Sequence, residues 1–214
     1  MEITSIKKAI LQIYKDCNIK SFPISCSSIL NHYGLKVYSY HELKQKNQEL
    51  YTICKDFSKD AFLYGSLICY NDEMPLVRRR FSLLHELGHY YLHTEDETTA
   101  NQFSSHLLAP RCILRKSGFT QLEDISSLFG ISKEAANYAL LDVNKHYHTS
   151  ELALQSNNVQ KEESIDHEIL EHFYNRDLQI YIYHISECPI CGSNIYNSIK
   201  NTCLQCRKLS IKSR

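Results

Sequence analysis

Apolar positions recur at helical spacing in several stretches of this chain. Ile3, Ile6, Ile10, Ile13 and Tyr14 form the first stripe, which predicts a helix over residues 3–14. A second helix is predicted after Pro23, running through Ser27 to His32 and stopping at Gly34. Leu35, Val37 and Tyr38 then predict a strand. The aromatic-rich stretch 61–70, broken only by Gly65 and Ser66, predicts a hairpin or bulged strand pair that ends before Pro75. Helical period returns over 81–92 and again over 97–108, where Ala100, Phe103, Leu107 and Leu108 share one side and Pro110 ends the run. A third helical pair is predicted over 122–129 and 133–143, around the turn Gly130-Ile131-Ser132. Residues 149–164 are polar and lack period, which predicts a linker. Beyond them lie a predicted short helix over 165–174, an apolar strand over 178–185 and a cysteine-bearing tail. The fold expected is α+β: a domain over 1–148 with a small sheet packed on helices, a linker over 149–164, and a smaller unit over 165–214.

Composition narrows the function classes. At 214 residues and 43% hydrophobic, the chain has room for one enzyme-sized domain and a small appendage. Lys7 and Lys8 interrupt the first apolar stripe, so it does not read as a signal peptide, and no apolar run reaches membrane-spanning length. The expected location is the cytoplasm, with no membrane partner. The nine cysteines agree, because an odd count argues against a secreted disulfide framework. Formal net charge is zero, so no global field draws the chain to nucleic acid or to an anionic surface.

Two clusters carry chemistry. His85-Glu86-Leu87-Gly88-His89 is an H-E-x-x-H sequence inside an apolar helical run. Histidines four apart lie on one helix face, roughly 6 Å from each other, so both imidazoles can reach one ion. Zinc suits this site, because a catalytic zinc takes three protein ligands and keeps a position for water. Glu86 then stands where a general base is needed. His93 lies about 12 Å along the same helix from His85, too far to be the third ligand. Glu97 is the best candidate, at the start of the next helix after a short turn, with Asp96 and Glu95 as further candidates. The same four residues, Thr94-Glu95-Asp96-Glu97, also fit a capping box in which Glu97 bonds only backbone. His93, His106, Tyr90, Tyr91 and Tyr138 are candidate donors to a developing oxyanion. The run Arg78-Arg79-Arg80 reads as a solvated face.

These stretches resemble the ImmA/IrrE family of metallopeptidases. Arg80-Phe81-Ser82-Leu83-Leu84-His85-Glu86-Leu87-Gly88-His89 is similar to the family's R-F-(T/S)-L-x-H-E-L-G-H helix. Glu97-Thr98-Thr99-Ala100-Asn101-Gln102-Phe103, then Leu107-Leu108-Ala109-Pro110, are similar to its E-x-x-A-N-x-F helix ending in L-L-x-P. The resemblance continues through Phe129 to Ala136, and the gap between His89 and Glu97 is at the short end for the family. It implies a zincin-like domain in which His85, His89 and Glu97 hold zinc and Glu86 is the catalytic carboxylate. It also implies a protein substrate, a helix-turn-helix repressor, whose cleavage derepresses a mobile element, phage or stress regulon.

The second cluster is Cys188-Pro189-Ile190-Cys191-Gly192 and Cys203-Leu204-Gln205-Cys206, two C-x-x-C pairs separated by 11 residues. Four thiolates at this spacing close a tetrahedral structural zinc site, and so small a unit draws its stability from the metal. The expectation is therefore one catalytic and one structural Zn2+, the latter in a module that resembles rubredoxin-like zinc ribbons. Lys200, Arg207, Lys208, Lys212 and Arg214 make that module mildly basic. A rival reading takes residues 122–143 as a helix-turn-helix and the chain as a DNA-binding or protein-binding regulator. Against nucleic acid stands the would-be recognition helix, which carries a single basic residue, Lys133, between Ser132 and Val143.

Overall fold

The computed structural model describes residues 1–152 and 157–212, with side chains at 1–145 and 160–208. Helices α1 (Ile3–Asp16) and α2 (Cys26–His32) lead into strand β1 (Lys36–Ser39), helices α3 (Tyr40–Lys46) and α4 (Gln48–Phe57), and the hairpin β2 (Ala61–Tyr64) and β3 (Leu67–Tyr70). Five helices follow: α5 (Leu76–Leu92), α6 (Glu97–Leu108), α7 (Arg111–Ser117), α8 (Leu122–Phe129) and α9 (Lys133–Leu152). The chain then forms α10 (Asn157–His172), β4 (Tyr174–Asn175), β5 (Ile180–Tyr181), β6 (Ile185–Glu187), β7 (Asn194–Tyr196) and α11 (Leu204–Lys212). The class is α+β, a zincin-like helix-and-sheet domain followed by a small zinc ribbon. No helix among the described residues is long and apolar enough to cross a membrane.

The main sheet has the order β1-β3-β2, with β1 parallel to β3 and β2 antiparallel to it. Strand β2 is thus an edge. Asn71 N–H donates to Asp60 O at 2.8 Å, which makes this opposed pair a hydrogen-bonded one. By the alternation of an antiparallel ladder, Phe62 and Tyr64 also bond β3, whereas Ala61 and Leu63 turn their backbone groups away from it, the Ala61 N–H to Ser58 Oγ at 3.3 Å and the Leu63 N–H to Glu86. Leu63 packs toward the main core and Phe62 toward a smaller cluster of Tyr40, Leu43, Cys54 and Cys69.

Helix α5 lies between this sheet and α6. Tyr14 Oη donates to Leu107 O at 2.8 Å and Ser104 Oγ to Phe81 O at 2.9 Å, each tying a helix to its neighbour. Arg80 is no solvated residue: its guanidinium donates to the carbonyls of Ile24, Gly130 and Phe129 at 2.9, 3.0 and 3.4 Å, clamping α5 to the loop before α2 and to the end of α8. Arg78 pairs with Asp60 at the sheet edge.

The polar stretch 149–164 departs from the expected linker. Described residues are helical up to Leu152 and again from Asn157, and 153–156 lie outside the described set, as do 213–214 with Arg214. Residues beyond 164 also join the first core: Ile165, Ile169, Phe173 and Tyr183 are buried in the same cluster as α1 and α7. The reason is electrostatic as well as apolar, because Lys7 Nζ, almost fully buried on α1, meets Glu162 Oε1 at 2.7 Å and Asp166 Oδ1 at 2.8 Å on α10. His184 Nδ1 donates to Phe22 O at 2.8 Å and fixes the start of the last segment to the same body. The predicted strand over 178–185 resolves into β5 and the beginning of β6.

Gly88 sets the spacing of α5 and α6. A Cβ there would stand 3.0 Å from Phe103 Cδ1 and 3.2 Å from Ala100 Cα, so the helices touch through bare backbone. Gly88→Ala is expected to lower unfolding stability by about 1–3 kcal/mol, measured by denaturant titration, because the intruding methyl must push α6 outward. It should also weaken the metal site described next, since Glu97 rides on α6.

Candidate metal centre

Helix α5 presents His85 and His89 one turn apart, and α6 returns antiparallel to meet them. His85 Nε2 and His89 Nε2 are 3.0 Å apart. Glu97 Oε2 stands 3.1 Å from the first and Oε1 3.5 Å from the second. Four-coordinate zinc with bonds of 2.0–2.1 Å has donor–donor edges of about 3.3 Å, so these three side chains are spaced as ligands of one such ion. Their other contacts fit that role. His85 Nδ1 faces Asn101 Oδ1 at 3.0 Å and His89 Nδ1 faces Thr94 O at 2.8 Å, and an Nδ1–H donating to each oxygen leaves both Nε2 lone pairs directed inward. Burial pushes the His85 pKa down and the neighbouring His89 charge lowers it further, which favours the neutral imidazole a metal requires.

The turn between the helices explains how Glu97 comes to be available. His93 ends α5 in the left-handed conformation (φ 49°), and Asp96 is the N-cap of α6, accepting from Thr99 N–H at 2.9 Å and from the Thr99 hydroxyl. Those bonds hold the Asp96 carboxyl below its ordinary pKa. Capping is done by Asp96, so Glu97 is not consumed by backbone and its carboxylate extends to the histidines, 73% exposed. Glu95 lines the adjoining cleft.

Glu86 faces the same cleft, only 9% exposed. Burial raises its pKa to about 7, against the lowering effects of His89 and of the Leu63 backbone N–H that bonds it. A carboxyl near neutrality can both take and return a proton. The cleft, about 680 Å³, runs past Phe57, Phe62, Leu63, His89 and His93. A second hollow of about 280 Å³ continues it past Asp60, Arg78, Ser82 and Asn101. Of the other candidate donors, His93 lines the cleft, Tyr91 packs against the core, stacked on Phe103 and edge-on to Tyr33, and Tyr138 is exposed on α9. Sequence reasoning did not assign Asn101 or the Thr94 carbonyl as partners of the histidines. Asn101 lies four residues beyond Glu97, on the same face of α6, and that spacing was the available signal.

The cysteines gather far along the chain. Cys188 and Cys191 sit in the turn between β6 and β7, where Gly192 (φ 69°) donates its N–H to Cys188 O at 2.8 Å. Cys203 precedes α11 and Cys206 lies in its first turn, so the second pair comes from a helix start and not from a second hairpin. The four sulfurs form one candidate metal cluster. Backbone N–H groups of Cys203 and Ile190 pull Cys188 down to about 6, while hydrogen bonding to Cys191 and Cys203 pushes Cys206 up to about 12. Full ionisation of four such neighbours requires a cation among them. The α8–α9 pair has a different character, because Lys133 is taken up by Glu123 at 2.7 Å and the turn carbonyl of Gly130 by Arg80.

Comparison with known families adds one finding: residues 40–141 match the peptidase-family model described as the IrrE N-terminal-like domain. Comparison with curated proteins and with solved structures gives no match.

Metal analysis is expected to return two zinc ions per chain. His85→Ala should remove one and Cys191→Ala the other, and a single ion in the wild-type protein would eliminate one of the sites. Asn101→Ala should weaken only the histidine-bound ion, by about 10–100-fold in a competition titration with a chelator, because it frees the His85 ring without removing a ligand.

Proposed function

We propose that this chain, which carries in residues 40–141 a domain of the IrrE N-terminal-like peptidase family, is a zinc-dependent endopeptidase. The observation that supports this best is the convergence of His85, His89 and Glu97 within ligand spacing, with buried Glu86 in the same cleft. A zinc ion bound by those three side chains supplies a Lewis acid for water and for the substrate carbonyl.

The protein's own groups then have distinct tasks. The substrate lies extended along the outer edge of β2, where the carbonyls of Ala61 and Leu63 point away from β3 and their N–H groups are held by Ser58 Oγ and Glu86. Glu86 takes a proton from the attacking water and returns it to the leaving amine, and its pKa near 7 suits both transfers at neutral pH. Asn101 and the Thr94 carbonyl hold the imidazoles in one tautomer throughout. The four cysteines hold a second, structural zinc. The substrate we infer is a helix-turn-helix repressor in the cytoplasm, so that proteolysis acts as an anti-repressor signal. This rests on the ImmA/IrrE resemblance of residues 80–136.

Glu86→Gln provides the test. It keeps every candidate metal ligand and removes the base, so bound zinc should remain at wild-type stoichiometry while cleavage of a helix-turn-helix repressor substrate falls by about 10²–10⁴-fold. Undiminished cleavage by Glu86→Gln would refute the mechanism.

A further inference from the structure

We propose that Phe57, stacked on Phe62, forms a specificity subsite that selects a large apolar side chain next to the scissile bond. The inference rests on the peptidase reading above and specifies the substrate feature it would select.

Phe57 is the last residue of α4 and, at 73%, the most exposed large hydrophobic side chain among the described residues. No core accounts for it. Its ring lies nearly parallel to that of Phe62, with centroids 5.1 Å apart and planes 17° apart, and both line the cleft that holds His85, Glu86 and His89. The turn that carries it is pinned. Tyr40 Oη donates to Ser58 O at 2.8 Å, Ser58 N–H to Cys54 O at 3.0 Å, and Ser58 Oγ accepts from the N–H groups of Asp60 and Ala61 at 3.2 and 3.3 Å. The aromatic shelf is therefore held in place before any peptide arrives, which limits the ordering cost of binding.

Strand alternation says which side chain reaches it. Along β2, Leu63 points toward α5 and Phe62 toward α3 and α4. A peptide extended along that edge alternates in the same way, so successive side chains face the histidine pair and the Phe57–Phe62 shelf in turn. The continuing hollow is more polar, with the Arg78–Asp60 pair, Ser82 and Asn101 on its wall. An apolar requirement is thus confined to one side of the cleaved bond.

The zinc-loaded full chain incubated with a library of internally quenched peptides, randomised at each position, gives the test. At one position flanking the cleaved bond, Leu, Met and Phe should exceed Ala and Asp in kcat/KM by about 10–100-fold, with no such preference on the other side. Phe57→Ala should collapse that ratio to within about threefold, and Phe57→Leu should retain most of it, since an aliphatic side chain still covers Phe62. Cleavage by the wild type without an apolar preference at any flanking position, or a preference that survives Phe57→Ala in a variant with unchanged thermal unfolding, overturns the subsite and leaves the peptidase reading standing. Failure of the wild type to cleave any library peptide overturns the peptidase reading and the subsite with it.

Discussion

The approach of α5 and α6 through Gly88 governs the rest of the site. Two histidines on one helix supply only two ligands, and the third must come from chain that has reversed direction and lies close enough for a four-atom side chain to bridge the gap. With a bare Cα at the contact, Ala100 and Phe103 sit against the turn between His85 and His89, and Glu97, one turn earlier on α6, is carried to the imidazoles. Asp96 completes the arrangement by capping the helix itself. Had Glu97 capped the helix instead, its carboxylate would have been spent on backbone.

Electrostatics then explains why the polar groups stand as they do. A carboxyl inside a mostly apolar wall loses hydration, so Glu86 becomes a weaker acid, and neighbouring His89 and the Leu63 N–H moderate but do not cancel that effect. The His85 imidazole is biased toward neutrality by burial as well. The cysteine module poses the complementary problem, with four sulfurs on a segment whose apolar cluster consists of little beyond Ile195 and the cysteines themselves. There the cation would complete both the charge balance and the packing.

The helices of the candidate metal centre were legible in the sequence because their signal is local: an i, i+4 histidine pair in an apolar run, a turn with capping residues, and a proline stop. Spacing alone left Glu97 open between ligand and cap; the structure gives the cap to Asp96, which accepts from Thr99 N–H, and leaves the Glu97 carboxylate beside the histidines. Helices α3 and α4 escaped notice since they are short and mostly polar, although Ser39 and Glu42 form a capping box whose S-x-x-E pattern was readable. The parallel pairing of β1 with β3 joins segments some thirty residues apart and has no local mark. Polar composition over 149–164 suggested an unstructured link, whereas α10 is ordered by its few apolar anchors and by a charge on a helix more than 150 residues away. The aromatic shelf at Phe57 likewise depends on the fold, for nothing in the sequence distinguishes its exposed ring from a buried one.

The ion cluster of Lys7 with Glu162 and Asp166 has a consequence for how this chain could have been assembled. An ammonium this enclosed is balanced by those two carboxylates, so neutralising either one while α10 stays packed would leave a buried cation half compensated. The tail is therefore no detachable accessory, because α10 both covers Lys7 and supplies its counter-charges. Its acidic helix and the first helix of the chain are two halves of one lock, and a change of charge on one requires a matching change on the other.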